Sequence, residues 1–128
     1  MRLLLDTHAL IWWWINARQL SSAARKLIEH EQNEILVSAA SAWEIATKQR
    51  LGKLGLSHLT PRRYRALLGA DGFTPLAITT DHALVAGSYK HAHGDPFDRM
   101  LAAQAQIEGL TLVSRDRALR QFDVPLVW

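Results

Sequence analysis

The chain has 128 residues, 48% of them hydrophobic and 21% charged, with no cysteine and a net charge of +3. This is enough sequence for one core, so a single domain over 1–128 is expected, with the composition of a soluble globular chain. A disulfide framework and a thiolate metal centre are excluded; so is any membrane span, because no apolar run nears the roughly 18 residues required.

The first element is Leu3-Leu4-Leu5, an unbroken apolar run that stops at Asp6. Apolar runs without polar alternation mark strands buried on both faces, as in parallel sheets covered by helices. Residues from Thr7 to Ile15 read as a helix capped by Asp6 or Thr7, and a second helix begins at Ser21 or Ser22 and runs to about Glu31. Glu34 to Ser38 is the second strand, with Ser38 placed to cap a helix from Ala39 to Leu51. That helix carries Ala39, Ala42, Trp43 and Ala46 on one face and ends at Gly52. A loop over 53–60 leads to a helix opened by Pro61. The third strand, Phe73 to Ile78, contains Pro75 and so belongs at an edge. Thr79 or Thr80 caps a helix to about Tyr89. Asp95 and Pro96 then open another, which stops at Gly109. Leu110 to Ser114 is the next buried strand; a short helix and a strand over Val124 to Trp128 close the chain. The alternation predicts an α/β fold, a three-layer α/β/α sandwich around a mostly parallel sheet.

Parallel strands with crossover helices point their carboxyl ends one way, and such folds bind ligands at that rim. Asp6 and Asp116 follow two strands and therefore share it. Glu44, in the second turn of the helix leaving strand two, starts near the rim, and Asp98 lies in the first turn of a helix that begins there. Each acid has an ordinary structural use. Asp6 and Asp116 would serve as caps, Asp98 as part of a capping arrangement behind Asp95, and Glu44 as the partner of Lys48 at i,i+4. Those uses do not account for the convergence. Like charges gathered at one place repel unless a cation sits among them. Oxygen donors without cysteine select a hard ion, Mg2+ or its substitute Mn2+. Carboxylate-held metal supports phosphodiester hydrolysis without a covalent nucleophile. Setting these four acids aside leaves eight against fifteen bases, about +7 on the rest of the molecule, which suits an anionic polymer. Neither common Gly-rich phosphate loop is present. His91, His93 and Asp95 have the superficial form of a metal site but lack a further ligand on regular structure.

Taken together, Leu3-Leu-Leu-Asp6-Thr-His-Ala-Leu, Ser41-Ala-Trp-Glu44-Ile-Ala, His93-Gly-Asp-Pro-Phe-Asp98-Arg-Met-Leu-Ala-Ala-Gln and Ser114-Arg-Asp116 resemble PIN-domain ribonucleases, in particular the VapC-type toxins of bacterial toxin–antitoxin pairs. The resemblance runs in order along nearly the whole chain. It implies a central first strand and an Mg2+-dependent endoribonuclease site on Asp6, Glu44, Asp98 and Asp116, with Asp6, Asp98 and Asp116 around the metal. It further implies a homodimer, an RNA substrate and a small cognate antitoxin; a cytoplasmic setting fits the absence of cysteine and of a signal-peptide pattern.

Two features lie outside that cluster. Trp12, Trp13 and Trp14 are consecutive on a helix, so at about 100° per residue they cannot all face the sheet, and at least one is expected to be exposed or to meet another chain. Arg62, Arg63 and Arg65 form a basic run that would suit RNA phosphates, or simply a solvated helix face. Competing functions are a structure-specific DNA nuclease, which usually needs clamps this chain has little room for, and a non-catalytic interaction module built on the tryptophans. A phospho-receiver would want an acid pair after strand one, where Asp6 stands alone before Thr7.

Overall fold

Leu3-Leu4-Leu5 is the middle of a five-stranded parallel sheet in the computed structural model, which describes residues 1–90 and 93–128. Strand β1 (Arg2–Leu5) lies between β2 (Glu34–Ser38) and β4 (Thr111–Val113); β3 (Thr74–Leu76) and β5 (Leu126–Val127) form the two edges, in the order β3-β2-β1-β4-β5. Leu4 pairs with Leu36 on one side and Leu112 on the other. Successive side chains leave opposite faces of a strand. Leu3 and Leu5 accordingly pack with α1 (Thr7–Trp14), α2 (Ser22–Glu29), Ile45 of α3 (Ala39–Arg50) and Leu68 of α4 (Pro61–Asp71). Leu4 faces the other way, into a core with Leu101 and Ala105 of α6 (Pro96–Glu108), beside which lies α5 (Thr80–Ser88). This is the predicted α/β/α sandwich with strand one central.

All three leucines are fully buried. Leu4→Ala is therefore expected to destabilise the fold by about 2–5 kcal/mol, through lost transfer energy and the cavity left behind. Urea denaturation of the variant checks this.

The strand order reverses at β1: the chain moves from β1 to β2 and β3 on one side, then crosses to β4 and β5 on the other. The crevice between β1 and β4 is therefore the switch point where such sheets bind ligands.

Pro75 lies in an edge strand, as its missing N–H requires. Asp95 caps α6 by accepting from the backbone N–H groups of Phe97 and Asp98, at 2.9 and 3.3 Å. Several bounds differ from the sequence reading. The expected strand over 124–128 pairs only through Leu126 and Val127, and the short helix before it is a 3₁₀ helix, Arg117–Phe122. The apolar stripe of α3 points outward, with Trp43 60% exposed. Its inward face carries Ala40, Ser41, Glu44 and Ile45. Two of those four are polar because this face borders the rim. No helix among the described residues is long and apolar enough to cross a membrane.

Candidate active site

The end of β1 sets Asp6 at the crevice. Its carboxylate accepts the Ala9 backbone N–H at 2.7 Å and so caps α1. Asp6 is only 7% exposed. Thr7 donates to the Ser41 hydroxyl at 3.0 Å, which ties the start of α1 to the inner face of α3. Glu44, one turn further along α3, is buried and takes an ion pair from Lys48. The predicted i,i+4 pair is thus formed, but against the rim instead of on a solvated face. Its attraction offsets part of the cost of burying the Glu44 charge.

Asp98 stands in the first turn of α6, where its Oδ2 lies 2.9 Å from Nε2 of His93. Asp116 follows β4 and caps the 3₁₀ helix through Ala118 N–H at 2.9 Å. One ligand-capable atom from each of His93, Asp98 and Asp116 lies within 4.8 Å of the others. Asp6 and Asp116 line a common cavity of about 320 Å³ with His8, Trp12 and Arg115.

Electrostatic coupling links Asp6 with Glu44 and with Asp98. Burial pushes the Asp6 carboxyl above its ordinary value; the Ser114 hydroxyl, the Ala9 N–H and His8 pull it down, and the charge of Glu44 raises it again. Burial likewise pushes Asp98 up to about 6. The His93 hydrogen bond and charge oppose this, while Asp95 and Asp6 add to it. Removing carboxylates from water and setting them side by side both disfavour their charged forms. A cation among them would relieve both effects.

Three contributors were not singled out from the sequence. Ser114, fully buried after β4, interacts with Asp6 through its hydroxyl and accepts the Asp116 backbone N–H at 3.1 Å, so it holds two of the acids together. His93 stands in the sequence in a zinc-like motif and at the head of the segment that resembles the PIN family, with no role assigned to it there; its partner is Asp98, and His91 lies outside the described residues. Arg99 donates to the carbonyls of Ala86, Tyr89 and His93, which fastens the segment carrying His93 to α6. A basic residue directly after Asp98 was the only signal for that role.

The other expected features lie elsewhere. Arg62, Arg63 and Arg65 are exposed on the first turns of α4, and the cavities that Arg63 and Arg65 line include none of the four acids. The three consecutive tryptophans diverge, each half-buried with partners in its own chain. Trp12 meets Trp128 edge-on at 5.8 Å, Trp13 meets Phe73 at 6.0 Å, and Trp14 meets Tyr64 at 5.6 Å. Trp14 also donates to Asp71 at 3.1 Å.

Known proteins share this sequence pattern and fold. The sequence model of the PIN domain matches residues 3–125. Ribonuclease VapC22 of Mycobacterium tuberculosis is 35% identical over 125 residues, covering 95% of this chain and 92% of its own. Among solved structures, VapBC2 from Rickettsia felis, bound to a DNA fragment from its promoter, has a TM-score of 0.71 at 15% identity, with 99% of this chain and 98% of that chain covered. A toxin–antitoxin complex from Klebsiella pneumoniae has a TM-score of 0.62 at 21% identity, with 98% and 96% covered.

Proposed function

Because the chain belongs to the PIN-domain family, we propose that it is a VapC-type endoribonuclease, the toxin of a toxin–antitoxin pair, dependent on Mg2+ with Mn2+ as a substitute. The observation that carries this reading is the gathering of acids at the crevice between β1 and β4: the charges of Glu44 and Asp98 are coupled to Asp6, and Asp116 shares a cavity with Asp6 and a cluster of ligand-capable atoms with Asp98. The donors fit a hard cation. They are carboxylate oxygens, two are held above their ordinary carboxyl pKa by burial, and the imidazole beside them is engaged with Asp98. Asp6 and Asp98 would hold the ion directly, with Asp116 completing the shell directly or through water.

When bound, such an ion activates water and neutralises charge on a phosphate. The residues supply the rest. Asp6 is fixed by β1 and its cap, Ser114 keeps Asp116 beside it, and His93 with Arg99 orients Asp98. Glu44 would orient the attacking water, its charge supported by Lys48. The same reading carries a single domain over the whole chain, a cytoplasmic setting, a small antitoxin protein and a homodimer. For an interface, Trp43, which stays 60% exposed although it meets Phe97 edge-on, offers with the exposed Ile78 and Leu84 a better surface than the half-buried Trp12, Trp13 and Trp14.

Incubating the purified protein with single-stranded RNA and with DNA of matching sequence, in Mg2+ or in EDTA, tests the activity. RNA cleavage in Mg2+ alone, with DNA intact, is expected. Cleavage of DNA in place of RNA would replace the reading with a DNA nuclease, and cleavage of neither would remove it.

A further inference from the structure

Beside the carboxylate pocket lies a larger cavity of about 580 Å³, lined by Ser114, Arg115, Arg117, Arg120, Trp128 and residues of β5. Arg115 lines both cavities, and Ser114, which interacts with Asp6, lies in the wall of the larger one. The two spaces therefore adjoin. The basic wall has a local structural origin. In a 3₁₀ helix, residues i and i+3 eclipse one another. Arg117 and Arg120 consequently stand in line on one side, while Leu119 is buried in the core. At the period of an α-helix the two would be offset.

Among the described residues, these arginines differ from Arg2 and Arg99 in being unpaired, and from the equally unpaired Arg62, Arg63 and Arg65 in lying next to the carboxylate pocket. Arg2 is paired with Glu34 and Arg99 is consumed by backbone carbonyls. Among the described residues, Arg115, Arg117 and Arg120 form no ion pair, and all three are exposed. Arg115 is held with its guanidinium 4.6 Å over the ring of Trp12, and Trp12 in turn braces Trp128 edge-on. Trp128 is only half-buried and lines the groove. Unneutralised guanidinium groups along a wall, with an aromatic ring at its side, are the two parts of a single-strand binding track: cations follow the phosphates and rings stack the bases.

We propose that this groove carries the single-stranded RNA flanking the scissile phosphate, with Arg117 and Arg120 on the backbone, Trp128 under a base and Arg115 at the junction with the carboxylates. The inference rests on the ribonuclease reading and adds the path of the substrate to it. It also moves the basic contact from α4 to the segment after β4. An acidic segment of a protein partner would answer to the same charges, but it would have no need of continuity with the carboxylate pocket.

The test is binding of a short, labelled, mixed-sequence oligoribonucleotide in EDTA across a salt series, measured by anisotropy. Arg117→Ala/Arg120→Ala, Trp128→Ala and Arg62→Ala/Arg63→Ala/Arg65→Ala are compared with wild type, with thermal melting to confirm folding. The double variant is expected to bind about tenfold more weakly or worse. Its log–log salt slope should be flatter by about 0.7 for each arginine removed. Trp128→Ala should weaken binding without changing the slope, and in cleavage assays the arginine loss should fall on KM. Unaltered RNA binding by the double variant, while wild type still cleaves RNA, would overturn the groove assignment alone. So would a loss confined to the α4 variant, or a loss seen only with a polyglutamate probe. If wild type neither binds nor cleaves RNA, the ribonuclease reading fails, and the groove assignment with it.

Discussion

Asp6→Asn is expected to lower kcat/KM for RNA about 10³-fold while the protein stays folded, because metal-assisted charge stabilisation is worth several kcal/mol and each 1.36 kcal/mol is tenfold. The choice of asparagine matters. Asp6 has a second role as the cap of α1, accepting the Ala9 N–H. An asparagine oxygen can take that bond, so the helix start is preserved; alanine would lose it at a cost of about 1 kcal/mol. Asparagine also removes a charge that burial disfavours. The metal-free variant should therefore be no less stable than wild type by urea denaturation, even as activity disappears. Full activity in Asp6→Asn would show that the carboxylate is only a cap.

A second large effect concerns pH. Burial holds the Asp98 carboxyl at about 6, against an ordinary value of 3.8, and holds Asp6 in the same direction. A group whose pKa is raised by folding binds protons more tightly in the native state. Its contribution to metal-free stability is full below 3.8 and is lost as pH rises towards about 6. Metal binding has the opposite dependence, since the ligands must lose their protons first. Below about 6, the apparent Mn2+ affinity is expected to fall roughly tenfold per pH unit for the proton on Asp98. Trp12 lines the pocket, so its fluorescence should report the titration. Asp98→Asn should weaken binding and flatten this dependence. An affinity constant between pH 5 and 7 would place the ion away from Asp98.

The sequence showed the frame of this site because the frame depends on local signals. Leu3-Leu4-Leu5 ends at a lone acid, Pro75 cannot sit inside a sheet, and Asp95-Pro96 starts a helix one turn before it presents Asp98. Parallel topology then brings the acids to one rim, without any knowledge of contacts. What the sequence did not show depends on tertiary geometry. Ser114 stands in the sequence only as the head of the Ser114-Arg-Asp116 motif; that its hydroxyl meets Asp6 depends on β4 lying beside β1. Arg117 and Arg120 align only because that segment winds as a 3₁₀ helix. The tryptophan run predicts at least one ring exposed or covered by another chain; what it does not show is that Phe73, Tyr64 and Trp128 each meet one of the three rings and leave all of them half-buried. On α3, the apolar residues counted as one face are the outer ones, because the inner face is used to bring Glu44 to the rim.

On this proposal Asp6, Asp98 and Asp116 hold a divalent cation at the end of β1, with Glu44 beside it on the attacking water. Anomalous scattering from crystals soaked in Mn2+ measures it most directly. A peak is expected in the crevice between β1 and β4, about 2.1 Å from oxygens of Asp6 and Asp98, with Asp116 bonded to it directly or through water. A peak held by His93 and Asp116 away from Asp6, or no peak at saturating Mn2+ and pH above 7, would contradict it.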